Sequence, residues 1–325
     1  MADNGRLRPV LLHAESGVFA VLDGAQFDDL PMALFEGDFV HRPLYLDRGT
    51  GTADQLRTAP QLVWLDRDRK HALRDRTEEN YPINEAVVDK MFALVEERHA
   101  VVFWLCKAGG DALYRHLRTI NMVNIPEEAA KKGSLDPRDE VSGRFMPVLF
   151  RHADPNVLAQ VMPVVDRPLI KKFLGPAESV VFLPDDKWSE SGKILQLTNP
   201  QGDIPVPVGP ICLSADHINQ ISLLRARLEM PVIVNAFIAD NGLEEQHAPV
   251  FEKAIQRAYR YGLRDEQTYV AFLKLERAYG PDFEFRRGRE FVLEHLQDRD
   301  MSAEAKLACV VAELQNEKFE REKRG

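Results

Sequence analysis

His152 and Asp154 lie two residues apart in Phe150-Arg151-His152-Ala153-Asp154-Pro155, close enough for an imidazole and a carboxylate to share a proton or a cation. The same residues have a plainer reading. Asp154 before Pro155 is a helix N-cap, with proline at the first helical position where a missing N–H costs least, and His152 then simply ends a strand. The other histidines add nothing to a metal site, because no two stand at i, i+4 and none sits in HExxH. Cys106, Cys212 and Cys309 are too widely spaced for a zinc site and fit no disulfide framework, which points to a reducing compartment. Cys106 stands nearest a helix start, but Lys107-Ala108-Gly109-Gly110 intervenes, so a buried, inert thiol is expected. There is no GxSxG elbow, no phosphate-binding GxxxxGK[ST] loop and no GxGxxG turn. The sequence therefore predicts no catalytic residue, no cofactor and no metal, and keeps a hydrolase using His152 and Asp154 as the alternative.

Three further residues are candidates for holding a partner. Asp23 and Arg151 each follow a strand run, at what could be the same edge of a parallel or mixed sheet, where loops commonly bind ligands. Their structural explanation is that Asp23 caps a turn and Arg151 pairs with Asp154 or another carboxylate. Trp188 is embedded in Asp185-Asp186-Lys187-Trp188-Ser189-Glu190, where it could anchor an interface or cover its own domain. Asp23, Arg151, Asp154 and Trp188 form the predicted partner-binding set.

The elements that would position these residues change character along the chain. Gly17 to Leu22 reads as a strand, followed by a helix through Phe27 to Phe35; Leu62 to Leu65 is a second strand. Asn84 caps an amphipathic helix to Arg98. Ala100 to Cys106 is nearly all apolar and suits a strand buried on both faces at the centre of a sheet, with Asp111 capping the helix after it. Pro126 to Gly143 is a charged excursion, and Phe145 to Phe150 returns to strand character. Val180 to Leu183 and Lys193 to Leu197 look like strands of a small β-rich connection. From Ser214 the period becomes 3.6: helices are expected over 215–229, 249–261, 266–279, 288–297 and 303–321, with Gly262 and Gly280 as stops. The predicted organisation is an α/β domain over 1–168, with a mixed sheet and flanking helices, a β-rich connector over 169–213 and an all-α domain over 214–325.

Composition sets the outer bounds. With 325 residues, 45% hydrophobic, the chain has material for a sizeable core and about two domains. A net charge of −9, from 42 basic and 51 acidic residues, argues against binding nucleic acid through its phosphates. No unbroken apolar run suits a secretory signal or a membrane span, so a cytoplasmic protein without membrane contact is expected.

Four segments occur in an order that resembles a known family: Phe19-Ala20-Val21-Leu22-Asp23-Gly24-Ala25, Ala59-Pro60-Gln61-Leu62-Val63-Trp64-Leu65, Leu113-Tyr114-Arg115-His116-Leu117-Arg118, and Phe150-Arg151-His152-Ala153-Asp154-Pro155 with Val157-Leu158. The family is domain-of-unknown-function family 4123, which contains adaptor chaperones of the bacterial type VI secretion system. Gln61 stands where an aromatic is frequent in it, and Asn156 where an arginine is frequent. The resemblance implies a cytoplasmic adaptor that binds a toxic effector and loads it onto the VgrG spike, with no cofactor. A groove between lobes is the expected seat of the effector, and a regulatory scaffold whose helical domain binds a partner helix is a third possibility.

Overall fold

A computed structural model of the chain describes residues 6–45, 51–70, 82–96, 98–132, 141–188 and 193–324. Two compact units divide it, Met1–Ile221 and Ser222–Gly325.

The first unit is built on a six-stranded sheet of order β2-β3-β1-β4-β7-β8. Its strands are β1 (Val18–Leu22), β2 (Phe39–Pro43), β3 (Gln61–Asp68), β4 (Val101–Leu105), β7 (Ser179–Phe182) and β8 (Leu195–Thr198). All its neighbours pair antiparallel. Register explains why the central strands are apolar on both faces. Phe19 lies opposite Trp64 and Trp104, and these join Val180 in one core layer. Their neighbours Ala20, Val63, Phe103 and Val181 form the other layer. One face is covered by Leu7 and Leu11, Leu30 and Leu34, and Val87, Val88, Met91 and Val95, from the helices Leu7–Leu12, Leu30–Glu36 and Glu85–Val95. The opposite face meets the helices Gly110–Leu117, Pro155–Val161 and Arg167–Leu174. An antiparallel sheet with both faces covered accounts for the unbroken apolar run of β4. Each fully buried Leu, Val or Phe there contributes roughly 1.5–3 kcal/mol.

A second, three-stranded sheet has the order β6-β5-β9, with β5 (Met122–Pro126), β6 (Phe145–Leu149) and β9 (Ile211–Cys212). Here the pairing is mixed, since β5 runs antiparallel to β6 and parallel to β9. Val123, Ile125, Val148 and Ile211 turn inward to the core layer that holds Trp104.

Several local expectations hold: Asn84 accepts from the N–H groups of Ala86 and Val87, and Gly262 and Gly280 end their helices with φ near +87° and +86°. Other expectations are corrected. Strands β7 and β8, read as part of a connector, belong to the main sheet, because β7 pairs with β4 some eighty residues earlier, a contact no local pattern encodes. Asp111 is not a cap; the helix starts at Gly110 behind Gly109, and the Asp111 carboxylate instead takes Arg42 at 2.7 Å. The helix after β1 is shorter than expected, a 3-10 turn at Gly24–Gln26 and then Leu30–Glu36 capped by Asp29.

The second unit is helical, with Ala248–Arg260, Glu266–Tyr279, Glu290–Gln297 and Ala303–Arg324. The helix expected over 215–229 runs on to Asp240 through Pro231. Proline inside a helix costs about 3 kcal/mol. Burial of Met230, Ile233, Val234, Phe237 and Ile238 around it outweighs that cost. The boundary at Ile221 falls within this helix: Ile218 and Ile221 pack on the first unit's core, whereas Ala226 and the residues beyond build the second's.

Candidate functional site

Where β1 ends, Asp23 turns the chain. Its Oδ1 accepts from the Ala25 N–H at 3.2 Å, and its own N–H donates to the Ala100 carbonyl at 3.0 Å. The following Gly24 is required by packing, since a Cβ there would lie 2.6 Å from the Thr58 backbone. Where β6 ends, Arg151 reaches back. Its Nη2 donates to Asp23 Oδ2 and lies 3.3 Å from Asp154 Oδ2. Asp154 meanwhile caps the helix Pro155–Val161 by accepting from the Asn156 N–H at 2.9 Å. Three of the four sequence-predicted residues therefore meet in one cluster, with a single guanidinium between two buried carboxylates.

This ion cluster edges a cavity of about 100 Å³ whose walls include Asp23, Tyr45, Thr58, Asn121, Leu149 and Arg151. Asp154 holds Arg151 without lining the cavity itself. The guanidinium is the accessible member, its side chain 38% exposed against 6% and 7% for Asp23 and Asp154. Burial alone would lower the Arg151 pKa, but the adjoining Asp23 and Asp154 carboxylates outweigh it and raise it, so the cation persists. Burial pushes the Asp154 carboxyl above its ordinary range, and the Asn156 N–H offsets part of that. Tyr45 is raised too, first by burial and then by the Asp23 charge.

Behind the cavity, Asn121 staples three segments. Its Nδ2 donates to the Leu44 carbonyl at 3.0 Å, its Oδ1 meets His152 Nε2 at 2.9 Å, and its own carbonyl accepts from the Phe150 N–H at 2.8 Å. With Asn121 Nδ2 engaged, the amide oxygen must accept, so His152 carries its proton on Nε2. His152 Nδ1 is buried and, among the described residues, has no hydrogen-bond partner. Burial, helped by nearby His116, pushes the His152 pKa down to about 3, so the ring is neutral throughout the physiological range. The acid–base pair of the hydrolase alternative is thus not assembled: His152 bonds Asn121, and Asp154 bonds Arg151 and its own helix. Among the described residues, no group of three or more His, Cys, Asp or Glu is placed to hold a metal ion. Cys106 is buried, and burial raises its pKa, as expected of an inert thiol.

Trp188 does not line the cavity. It is half-buried and packs against the core of its own unit, beside Lys187, whose ammonium lies 5.4 Å from the ring centroid. Gln61, unusual for the resembled family, is buried and receives His41 Nδ1 at 3.2 Å. Asn156 accepts from the Asp185 N–H at 2.8 Å and so fixes the loop leading to Trp188. Sequence reasoning missed Tyr45, Thr58, Asn121 and Leu149. Asn121 alone carried a signal, as an amide between apolar Ile120 and Met122, a position that demands buried partners.

Among the described residues no helix is long and apolar enough to cross a membrane. Comparison with known families matches residues 18–171 to the model of domain-of-unknown-function family 4123. No curated protein and no solved structure matches the chain.

Proposed function

Residues 18–171 belong to domain-of-unknown-function family 4123, and from that premise we propose that the chain is an adaptor that holds a type VI secretion effector in the cytoplasm and loads it onto the VgrG spike. The observation that carries this reading is the ordered set of four motif segments within the matched region, two of which supply the cavity's Asp23 and Arg151. The site's chemistry supports it. A cavity with one accessible guanidinium, an aromatic hydroxyl and apolar Leu149 suits a side chain of a bound polypeptide, which needs positioning and no bond-making. The buried, neutral His152 serves as a support for the cavity wall in this reading.

The test is retention. A tagged full-length chain, co-expressed with the large polypeptide encoded by the neighbouring gene, is expected to retain it through purification. Ala25 is exposed at the cavity, so Ala25→Trp fills the opening from outside; it is expected to abolish retention at an unchanged melting temperature. A folded wild-type chain that retains nothing overturns the proposal, and full retention by Ala25→Trp removes the cavity from it.

A further inference from the structure

Among the described residues strand β6 is one of the two outer strands of the small sheet, and its sequence Phe-Met-Pro-Val-Leu carries no charge. The bonds flanking it fix which way its backbone faces. The Phe150 N–H donates to the Asn121 carbonyl at 2.8 Å, and the Arg144 carbonyl accepts from the Glu127 N–H at 3.0 Å. Both are even-numbered residues facing β5. Antiparallel ladders alternate, so Met146 and Val148 also face β5, while Phe145, Pro147 and Leu149 turn their backbone polar groups to the open side. Pro147 fits this phase, because a strand tolerates proline where its missing N–H would have pointed outward.

Side chains sort by the same alternation. Leu149 lies opposite Met122, Pro147 opposite Asn124 and Phe145 opposite Pro126, on the face opposite to Val123 and Val148, and of these Pro126 is itself buried. Leu149 is 56% exposed, Phe145 47% and Met122 43%, an apolar face on a chain whose net charge is −9. Natural sheets shield such edges with lysines, bulges or proline, and β6 has Pro147 alone. At its end the strand runs directly into Leu149 and Arg151 of the cavity wall.

We propose that the open edge of β6 receives an extended, uncharged segment of the cargo polypeptide as an added strand. Apolar side chains at alternate positions of that segment cover Met122, Phe145 and Leu149, and one small side chain enters the cavity beside Arg151. The inference rests on the adaptor reading and specifies how cargo is held. An exposed strand edge selects an extended backbone, since only another strand supplies acceptors and donors at the matching repeat. Pro147 leaves the edge with two outward donors, the Phe145 and Leu149 N–H groups. That makes the added strand short and releasable, and it disfavours edge-to-edge pairing between copies of the chain.

The test uses the full-length chain with the polypeptide encoded by the neighbouring gene. Hydrogen exchange on the wild-type complex is expected to show new protection at the amides of Phe145 and Leu149, the inward amides of β6 being already in the ladder. Leu149→Pro deletes one outward N–H without touching a ladder bond and is expected to weaken retention about tenfold, against about threefold for Leu149→Ala, which keeps the N–H. Unchanged exchange at residues 145 and 149 in a complex that does form overturns the edge and leaves the adaptor reading standing. Full affinity in a folded Leu149→Pro does the same. Should that variant fail to fold, the wild-type exchange measurement decides alone, and a wild-type chain that forms no complex overturns both proposals.

Discussion

Each unit holds an arginine between two buried carboxylates, Arg151 in the first and Arg257 in the second, and the two clusters differ in their access to water. In the helical unit, Arg257 holds Glu284 at 2.6 Å, Glu276 at 2.8 Å and Asp282 at 2.9 Å. Its side chain is 9% exposed, and the two glutamates are sealed at 1% and 0%. In the α/β unit, Arg151 holds Asp23 and Asp154 but stands at a cavity mouth. The Arg257 cluster ties the Ala248–Arg260 and Glu266–Tyr279 helices to the 3-10 turn at Phe283–Phe285, and Asp282 is its exposed member. The open cluster does similar structural work with two carboxylates and keeps part of its guanidinium exposed at the cavity. Identical chemistry thus serves fold in one place and is available for recognition in the other, and burial of the cation makes the difference.

That contrast can be broken in order of expected effect. Arg257→Met strands two buried carboxylates and is expected to cost about 3–5 kcal/mol in chemical denaturation, enough to unfold the helical unit under mild conditions. A loss below about 1 kcal/mol would show that water reaches the cluster. Next is the pH dependence of the wall behind the cavity. The folded-state pKa of His152 is about 3 against an ordinary 6.5, so the unfolded chain binds the extra proton as pH falls between those values, and stability is lost with acid across that window. By pH 5 the loss is about 2 kcal/mol. Denaturation of wild type and His152→Gln at pH 7 and pH 5 should show this difference in the wild type alone; parallel pH profiles would remove the buried neutral histidine from the account.

Arg151→Ala is expected to cost about 1–2 kcal/mol, between an exposed and a buried pair, because solvent reaches the cluster from the cavity. A loss as large as that of Arg257→Met would put the two clusters in one class. The smallest effect concerns Asp282, whose side chain is 65% exposed and whose φ is +55°. Asn tolerates that left-handed backbone, so Asp282→Asn is expected to change stability by less than about 0.5 kcal/mol, read by the same denaturation.

What the sequence disclosed follows from how local each feature is. The apolar run around Phe103 marked the central strand, Asn84 and Asp154 were legible as caps, and Asp23 and Arg151 were suspected together because each follows a strand. Long-range pairing was hidden. Nothing near Val180 or Leu197 announces that their strands join β4, and nothing near His152 announces Asn121, since register between distant strands leaves no periodic trace. The helix expected over 215–229 was too short for the opposite reason: a proline at 231 is a strong local signal against continuation, and tertiary burial overrides it. The Arg257 cluster was illegible because Arg257 and Glu276 read as the polar face of ordinary amphipathic helices, and Asp282 and Glu284 as part of a short connection after Gly280.

On the proposed function, the chain passes a polypeptide from its own surface to a spike. The direct measurement is a pulldown on immobilised VgrG with the purified effector, with and without the full-length chain. The effector is expected on the spike only when the chain is present. Equal capture without the chain would contradict the proposed adaptor function.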